Sequence, residues 1–193
     1  MMGPGSALGK DKLMPPYLSY MDFPFEIHIK AVGPDQAETG KFEGYASVFD
    51  DVPDDYGDII VPGAFKKTLA AGGRNGNGIV MLWQHWTDAI PGVWDKMTED
   101  SKGLFGEGRL LQDTQLGHDT YVLVREGAVK GLSIGFDLPR LKPVKKNARG
   151  DPDPAAFDVV EERRYLKELI LWETSLVSFP AKVNAGVTGV KDA

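Results

Sequence analysis

Cysteine is missing from the 193-residue sequence altogether, and with it go disulfide bridges, thiolate nucleophiles and cysteine-ligated zinc. A cytoplasmic or intraparticle setting fits that absence. Histidine is scarce: only His28, His85 and His118 are present, so any imidazole chemistry has to be built on one of them. No apolar run approaches the roughly 20 residues that a bilayer-spanning helix needs, and the N-terminus has no apolar core of a signal peptide. Neither a membrane nor secretion is expected. Positive charge is in deficit, with 22 Lys and Arg against 28 Asp and Glu, and the formal net charge of -6 speaks against general nucleic-acid binding. Two cofactor signatures are lacking as well. Arg74-Asn-Gly-Asn-Gly78 is not followed by the Gly-Lys-Ser or Gly-x-Gly-x-x-Gly of a phosphate cradle, and the acidic stretch Asp50–Asp58 lacks the Asp-x-Asp-x-Asp-Gly spacing of a calcium loop. That stretch reads as a solvated turn, and no metal or cofactor is called for.

What remains is the composition of one soluble domain, 42% hydrophobic and 26% charged. Residues 1–22, rich in Gly, Pro and Met, read as a flexible N-terminal segment. Order is expected from Phe23, where Phe25, Ile27, Ile29 and Ala31 alternate with Glu26, His28 and Lys30, the period of a strand with His28 on its wet face. Lys41–Phe49 reads as a second strand. Pro62 opens an expected helix through Ala71 that packs Phe65 and Leu69 inward, closed by Gly72-Gly73. Ile79–Gln84 is a buried strand, and Glu99–Gly103 turns a hairpin. Asp113 is placed to cap a helix through about Glu126, with Leu116, Thr120, Leu123 and Val124 on one face. His118 lies in that helix without a metal-binding partner one turn away and reads as a surface residue. Residues 139–157, with four prolines and five basic residues between Pro139 and Pro154, are expected to be a disordered loop that could cover or admit a substrate. Arg164–Phe179 reads as one central strand, apolar on both faces.

Three residues stand out chemically. Ser133 sits in Gly131-Leu-Ser-Ile-Gly135, either as an ordinary strand residue or as a nucleophile whose flanking glycines, Gly131 and Gly135, leave room for a substrate chain. The pattern is not the nucleophile elbow of α/β-hydrolases, because that elbow runs strand–turn–helix with the histidine after the serine. Here the strand runs on into Pro139, and every histidine precedes Ser133. A base would therefore come from upstream. His85, at the rim of the buried 79–84 strand, is well placed for it, although a packed core histidine beside Trp83 and Trp86 is the other reading. Glu173 falls, by strand parity, on a face with Leu169, Leu171, Ser175 and Val177. A carboxylate there is costly unless paired, and a histidine is the economical partner; Glu168 falls on the opposite face.

Five stretches together carry a family resemblance: Gly44-Tyr-Ala-Ser-Val-Phe-Asp50, Gly57-Asp-Ile-Ile-Val-Pro-Gly-Ala-Phe65, Leu82-Trp-Gln-His85, Gly131-Leu-Ser-Ile-Gly-Phe136 and Trp172-Glu-Thr-Ser-Leu-Val-Ser-Phe-Pro-Ala181. In this order they resemble the prohead maturation proteases of tailed bacteriophages and gene transfer particles, over about Phe25 to Ala185. Pro180-Ala-Lys departs from the more usual Pro-Ala-Asn. The resemblance implies a mainly β, α+β fold with peripheral helices, an antiparallel β-barrel similar to that of herpesvirus assembly proteases. It makes residues 23–185 the protease domain and 186–193 a C-terminal tail. It also implies a catalytic set of Ser133 as nucleophile, His85 as general base and Glu173 as third member, where the herpesvirus enzymes use a second histidine. Oxyanion donors would come from the Gly131–Gly135 segment, with Arg109 or Arg125 as side-chain alternatives.

The function implied is a serine endopeptidase inside the assembling procapsid in the host cytoplasm. It would cleave scaffold protein, the scaffolding segment of the major capsid protein and itself; a homo-oligomer is compatible with this. The competing reading is a non-catalytic assembly module on the same fold, and a small-ester hydrolase fits less well because no strongly apolar acyl pocket is visible in the sequence.

Overall fold

In a computed structural model of the chain the described residues are 19–23, 28–29, 40–53, 57–140, 153–161 and 163–178. Their elements run β1 (Ser19–Phe23), β2 (His28–Ile29), β3 (Lys41–Val48), β4 (Asp58–Ile60), α1 (Lys66–Ala70), β5 (Val80–Trp83), β6 (Gly92–Glu99), β7 (Gly103–Leu110), α2 (Gln115–Arg125), β8 (Gly131–Asp137), β9 (Phe157–Val160), β10 (Arg163–Leu166) and β11 (Ile170–Val177). The fold is mainly β with few helices, as expected. Its strands divide into three sheets, in the orders β1-β8-β11-β5, β2-β3-β7-β6 and β4-β10-β9. Among the described residues no continuous ladder closes a barrel. Nor is the pairing uniformly antiparallel, since β4–β10 and β5–β11 are parallel.

Every residue of β8 is buried, because β8 is paired on both edges, with β1 and with β11. Leu132, Ile134 and Phe136 fill one face of it, and the small Gly131, Ser133 and Gly135 lie on the other. The second sheet lies against the first through β3, which approaches β1 and β8. Phe42, Ala46, Leu104 and Leu110 from that side meet Leu132, Ile134, Leu171 and Leu176 in one core, joined by the fully buried Phe65 ahead of α1. Burying each such large side chain contributes roughly 1.5–3 kcal/mol.

Several expectations change. β1 begins at Ser19, within the segment read as a flexible lead; its partners are 109 positions or more away, which local periodicity cannot reveal. Residues 1–18 lie outside the described residues. The Arg164–Phe179 strand is two strands in different sheets. Between them the amides of Lys167 and Glu168 donate to Ala156 O at 2.8 and 3.1 Å, and that of Leu169 donates to Ala64 O at 3.3 Å, so the chain crosses between sheets there. The 62–71 helix shortens to α1, because the Glu99 carboxylate accepts from the amides of Gly63 (2.7 Å) and Phe65 (2.9 Å) and holds them in a turn. Thr114, not Asp113, caps α2, its hydroxyl accepting from Gly117 N at 3.0 Å. Gly117, Thr120, Tyr121 and Val124 form the buried face of α2, while Leu123 is exposed. The hairpin at 99–103 forms as read. Of the 139–157 loop, 141–152 lie outside the described residues; its ends are ordered, with Asp153 N donating to Pro139 O at 2.6 Å and a short 3-10 turn at Pro154–Ala156 leading into β9. Residues 179–193, the tail included, also lie outside the described residues.

Candidate active site

β5 ends at Trp83, and the next two residues, Gln84 and His85, both adopt left-handed backbone conformations at φ 52° and 61°. For residues with a Cβ this costs roughly 1–2 kcal/mol each, so something must hold them. Trp86 N closes the turn onto Trp83 O at 3.0 Å. The end of β11 does the rest: Gln84 N donates to Leu176 O at 3.0 Å, Gln84 Nε2 to Ser178 Oγ at 2.6 Å, and His85 N to Ser175 Oγ at 3.1 Å. Strained backbone of this kind is characteristic of sites where a side chain is aimed.

The side chain so aimed is the His85 imidazole. Its Nδ1 lies 2.8 Å from Glu173 Oε1, and the two side chains are only 12% and 8% exposed. The second oxygen, Glu173 Oε2, accepts from Ser175 Oγ at 2.6 Å. A buried carboxylate is tolerable only with its lone pairs occupied, and here both oxygens are. Glu173 reaches this position through a slip in the ladder. Leu171 pairs with Phe136 and Glu173 with Gly135, so a bulge at Trp172 breaks the two-residue alternation. Phe136 and Gly135 face opposite ways on β8, so Leu171 and Glu173 do not share a face, contrary to the parity expected from the sequence. Trp172 stacks under the Arg74 guanidinium, 3.3 Å from the ring centroid.

On the other side of the same ladder Ser175 is the Cα partner of Ser133. Cross-strand partners point to one face with their Cβ atoms about 5 Å apart; Ser133 therefore shares a face with Ser175 and Glu173, and it is fully buried. Gly135 serves this face in an unexpected way. A Cβ there would fall 2.3 Å from Glu173 Oε1, so the room expected for a substrate is filled by the carboxylate. Gly131 pairs with Val177 at the end of the ladder.

The remaining histidines are elsewhere: His28 on β2 in the second sheet and His118 exposed on α2. Arg109 is committed to Asp95 and Arg125 to Glu126, both on exposed surface, and neither is available to a developing oxyanion. The Leu132–Gly135 amides lie in a stretch paired on both edges, which commits them to ladders rather than to an oxyanion. Glu168 lies between β10 and β11 and pairs with Lys67. Among the described residues no group of three or more His, Asp or Glu is gathered to hold a metal. The residue that sequence reasoning passed over is Ser175. Its signal was available in Glu173-x-Ser175, a carboxylate and a hydroxyl at the spacing that shares one strand face.

Residues 25–192 match the family model of the caudovirus prohead serine protease. The chain belongs to that family. It is 35% identical over 180 residues to the prohead protease of Enterobacteria phage HK97, an alignment covering 92% of this chain and 71% of that relative. The structure is similar to that of the bacteriophage T4 capsid assembly protease, with a TM-score of 0.56, 11% identity, and coverage of 83% of this chain and 98% of that one; at this identity the likeness shows the fold. A prohead serine protease is a capsid-maturation enzyme, and its chemistry requires a serine nucleophile. No helix among the described residues of this family member is long and apolar enough to cross a membrane.

Proposed function

We propose that this prohead protease cleaves scaffold protein and the scaffolding segment of the major capsid protein, and trims itself, inside the procapsid in the host cell, with Ser133, His85 and Glu173 as its catalytic set. The observation that carries the assignment is the buried His85 Nδ1–Glu173 Oε1 contact at 2.8 Å, on the face that the β8–β11 register gives to Ser133.

With Nδ1 donating to the carboxylate, Nε2 is the basic atom of the ring. It takes the Ser133 proton as Oγ attacks the scissile carbonyl, and the imidazolium then protonates the leaving amine, which leaves an acyl-enzyme that water hydrolyses. Glu173 fixes the tautomer and stabilises the cation that forms between these steps. Ser133 is fully buried, so a substrate carbonyl reaches it only after its surroundings open. Such closure suits a protease that has to stay latent until the particle is assembled.

Co-expression with the cognate capsid and scaffold proteins tests the proposal, comparing wild type with Ser133→Ala by gel and intact mass. Cleavage should disappear in the variant, a loss of about 10⁶-fold, while particles still assemble. Cleavage that persists in Ser133→Ala would exclude Ser133 as the nucleophile.

A further inference from the structure

We infer that Ser175 is a positioning residue of the proteolytic reaction, a single hydroxyl that holds His85 by its backbone and Glu173 by its carboxylate at the same time. The inference rests on the catalytic assignment proposed above.

A serine hydroxyl has one proton to donate and two lone pairs to accept with. At Ser175 the proton goes to Glu173 Oε2 at 2.6 Å, and a lone pair receives His85 N–H at 3.1 Å. With the His85 Nδ1–Glu173 Oε1 contact of 2.8 Å, these bonds close a ring through three residues. The imidazole is thus fixed from two directions: at its ring through Glu173 and at its left-handed main chain through Ser175. Without the hydroxyl, the Glu173 carboxylate is left with one buried oxygen to satisfy, and the turn at φ 61° loses a bond that offsets its strain.

The same bonds distinguish the two serines that face each other across the ladder. Ser175 has spent its proton on Glu173 and has none to offer the Nε2 edge of the ring, so it supports the site rather than attacking substrate. It is fully buried, and serine supplies the hydroxyl there on a small side chain.

The full chain is tested in two ways. In co-expression, the time course of capsid-protein cleavage should slow about 10–100-fold in Ser175→Ala, the loss of one hydrogen bond to an ionised group. Ser175→Cys, with similar shape and a weaker donor, should fall between alanine and wild type. In parallel, [15N]histidine labelling in a Ser133→Ala background, which prevents self-cleavage, resolves the chain's three histidines by NMR. The His85 amide and ring signals should move on Ser175→Ala while those of His28 and His118 stay. Wild-type cleavage rates in both variants, or unmoved His85 signals in a folded Ser175→Ala chain, would overturn the inference. So would a Ser175→Ala loss as complete as that of Ser133→Ala with His85 undisturbed, which would make Ser175 a chemical participant. Should Ser175→Ala fail to fold, Ser175→Cys decides: slower cleavage at wild-type melting temperature supports the role, and a wild-type rate contradicts it. Persistent cleavage in Ser133→Ala sinks the catalytic assignment instead, and the NMR comparison still reads the Ser175 contacts.

Discussion

Among the described residues Asp58, Asp137 and Glu173 are the buried carboxylates, and Glu173, at 6% exposure, and Asp58, at 1%, have partners that differ in kind. Asp58 faces the Arg164 guanidinium through two bonds, with Nη2 2.6 Å from Oδ2 and Nε on Oδ1. Arginine never gives up its proton in this setting, so that pair is a fixed clamp between β4 and β10. Glu173 faces an imidazole, which can gain and lose a proton near neutral pH, and a serine hydroxyl. The first arrangement fastens two neighbouring strands of one sheet; the second can move a proton. A buried carboxylate by itself therefore says little about function, and the titratability of its partner says a great deal.

The comparison breaks most readily at Glu173. Glu173→Gln keeps the shape but removes the charge that orients and stabilises the imidazolium, and capsid-protein cleavage should fall about 10³–10⁴-fold with little change in melting temperature. At Asp58 the expectation is reversed. Asp58→Ala leaves a guanidinium without its partner, and because the Arg164 side chain is 35% exposed the cost should sit near the lower end of the roughly 3–5 kcal/mol of a broken buried pair. Chemical denaturation should show it, with cleavage by the folded fraction unchanged. Burial pushes the Asp58 carboxyl above its ordinary value, partly offset by Arg164. Its ionised form therefore carries a folding cost above the folded-state pKa, and its contribution improves as pH falls through that value.

Gly135→Ala sharpens the same contrast, since the added Cβ meets Glu173 Oε1 at 2.3 Å. Overpacking of this kind costs about 1–3 kcal/mol, and here the displaced atom is the one that holds His85, so cleavage should fall further than stability. The smallest effect is expected on the surface. Asp100 is held below its usual value by the Tyr45 hydroxyl, at 2.6 Å, and then by the Lys102 and Gly103 amides. Its contribution is present above the ordinary carboxylate value and lost as pH falls through the lowered one. Tyr45→Phe should lower the melting temperature slightly at neutral pH, and the difference should vanish in acid.

The candidate site was legible in the sequence because each member carries a local mark: glycines around Ser133, a histidine ending an apolar run, a carboxylate inside one. The mostly β character followed from the same periodicities. Parity counting failed at Trp172, because a bulge is a property of the ladder and leaves no periodic trace. The Asp58–Arg164 clamp joins residues 106 positions apart, so Asp58 looked like one more residue of a solvated acidic turn. β1 was hidden for a similar reason, in a segment whose composition suggests no strand until β8 is beside it. Ser175 was overlooked because, although Glu173-x-Ser175 puts both side chains on one strand face, its bond to the His85 amide joins residues 90 positions apart.

The most direct measurement places Glu173→Gln and Asp58→Ala side by side, recording melting temperature and capsid-protein cleavage in the same co-expressed preparations. A folded Glu173→Gln chain that no longer cleaves, beside an Asp58→Ala chain that melts earlier yet cleaves at the wild-type rate when folded, is the predicted result. Wild-type cleavage by Glu173→Gln, or its unfolding with Asp58→Ala unharmed, would contradict it.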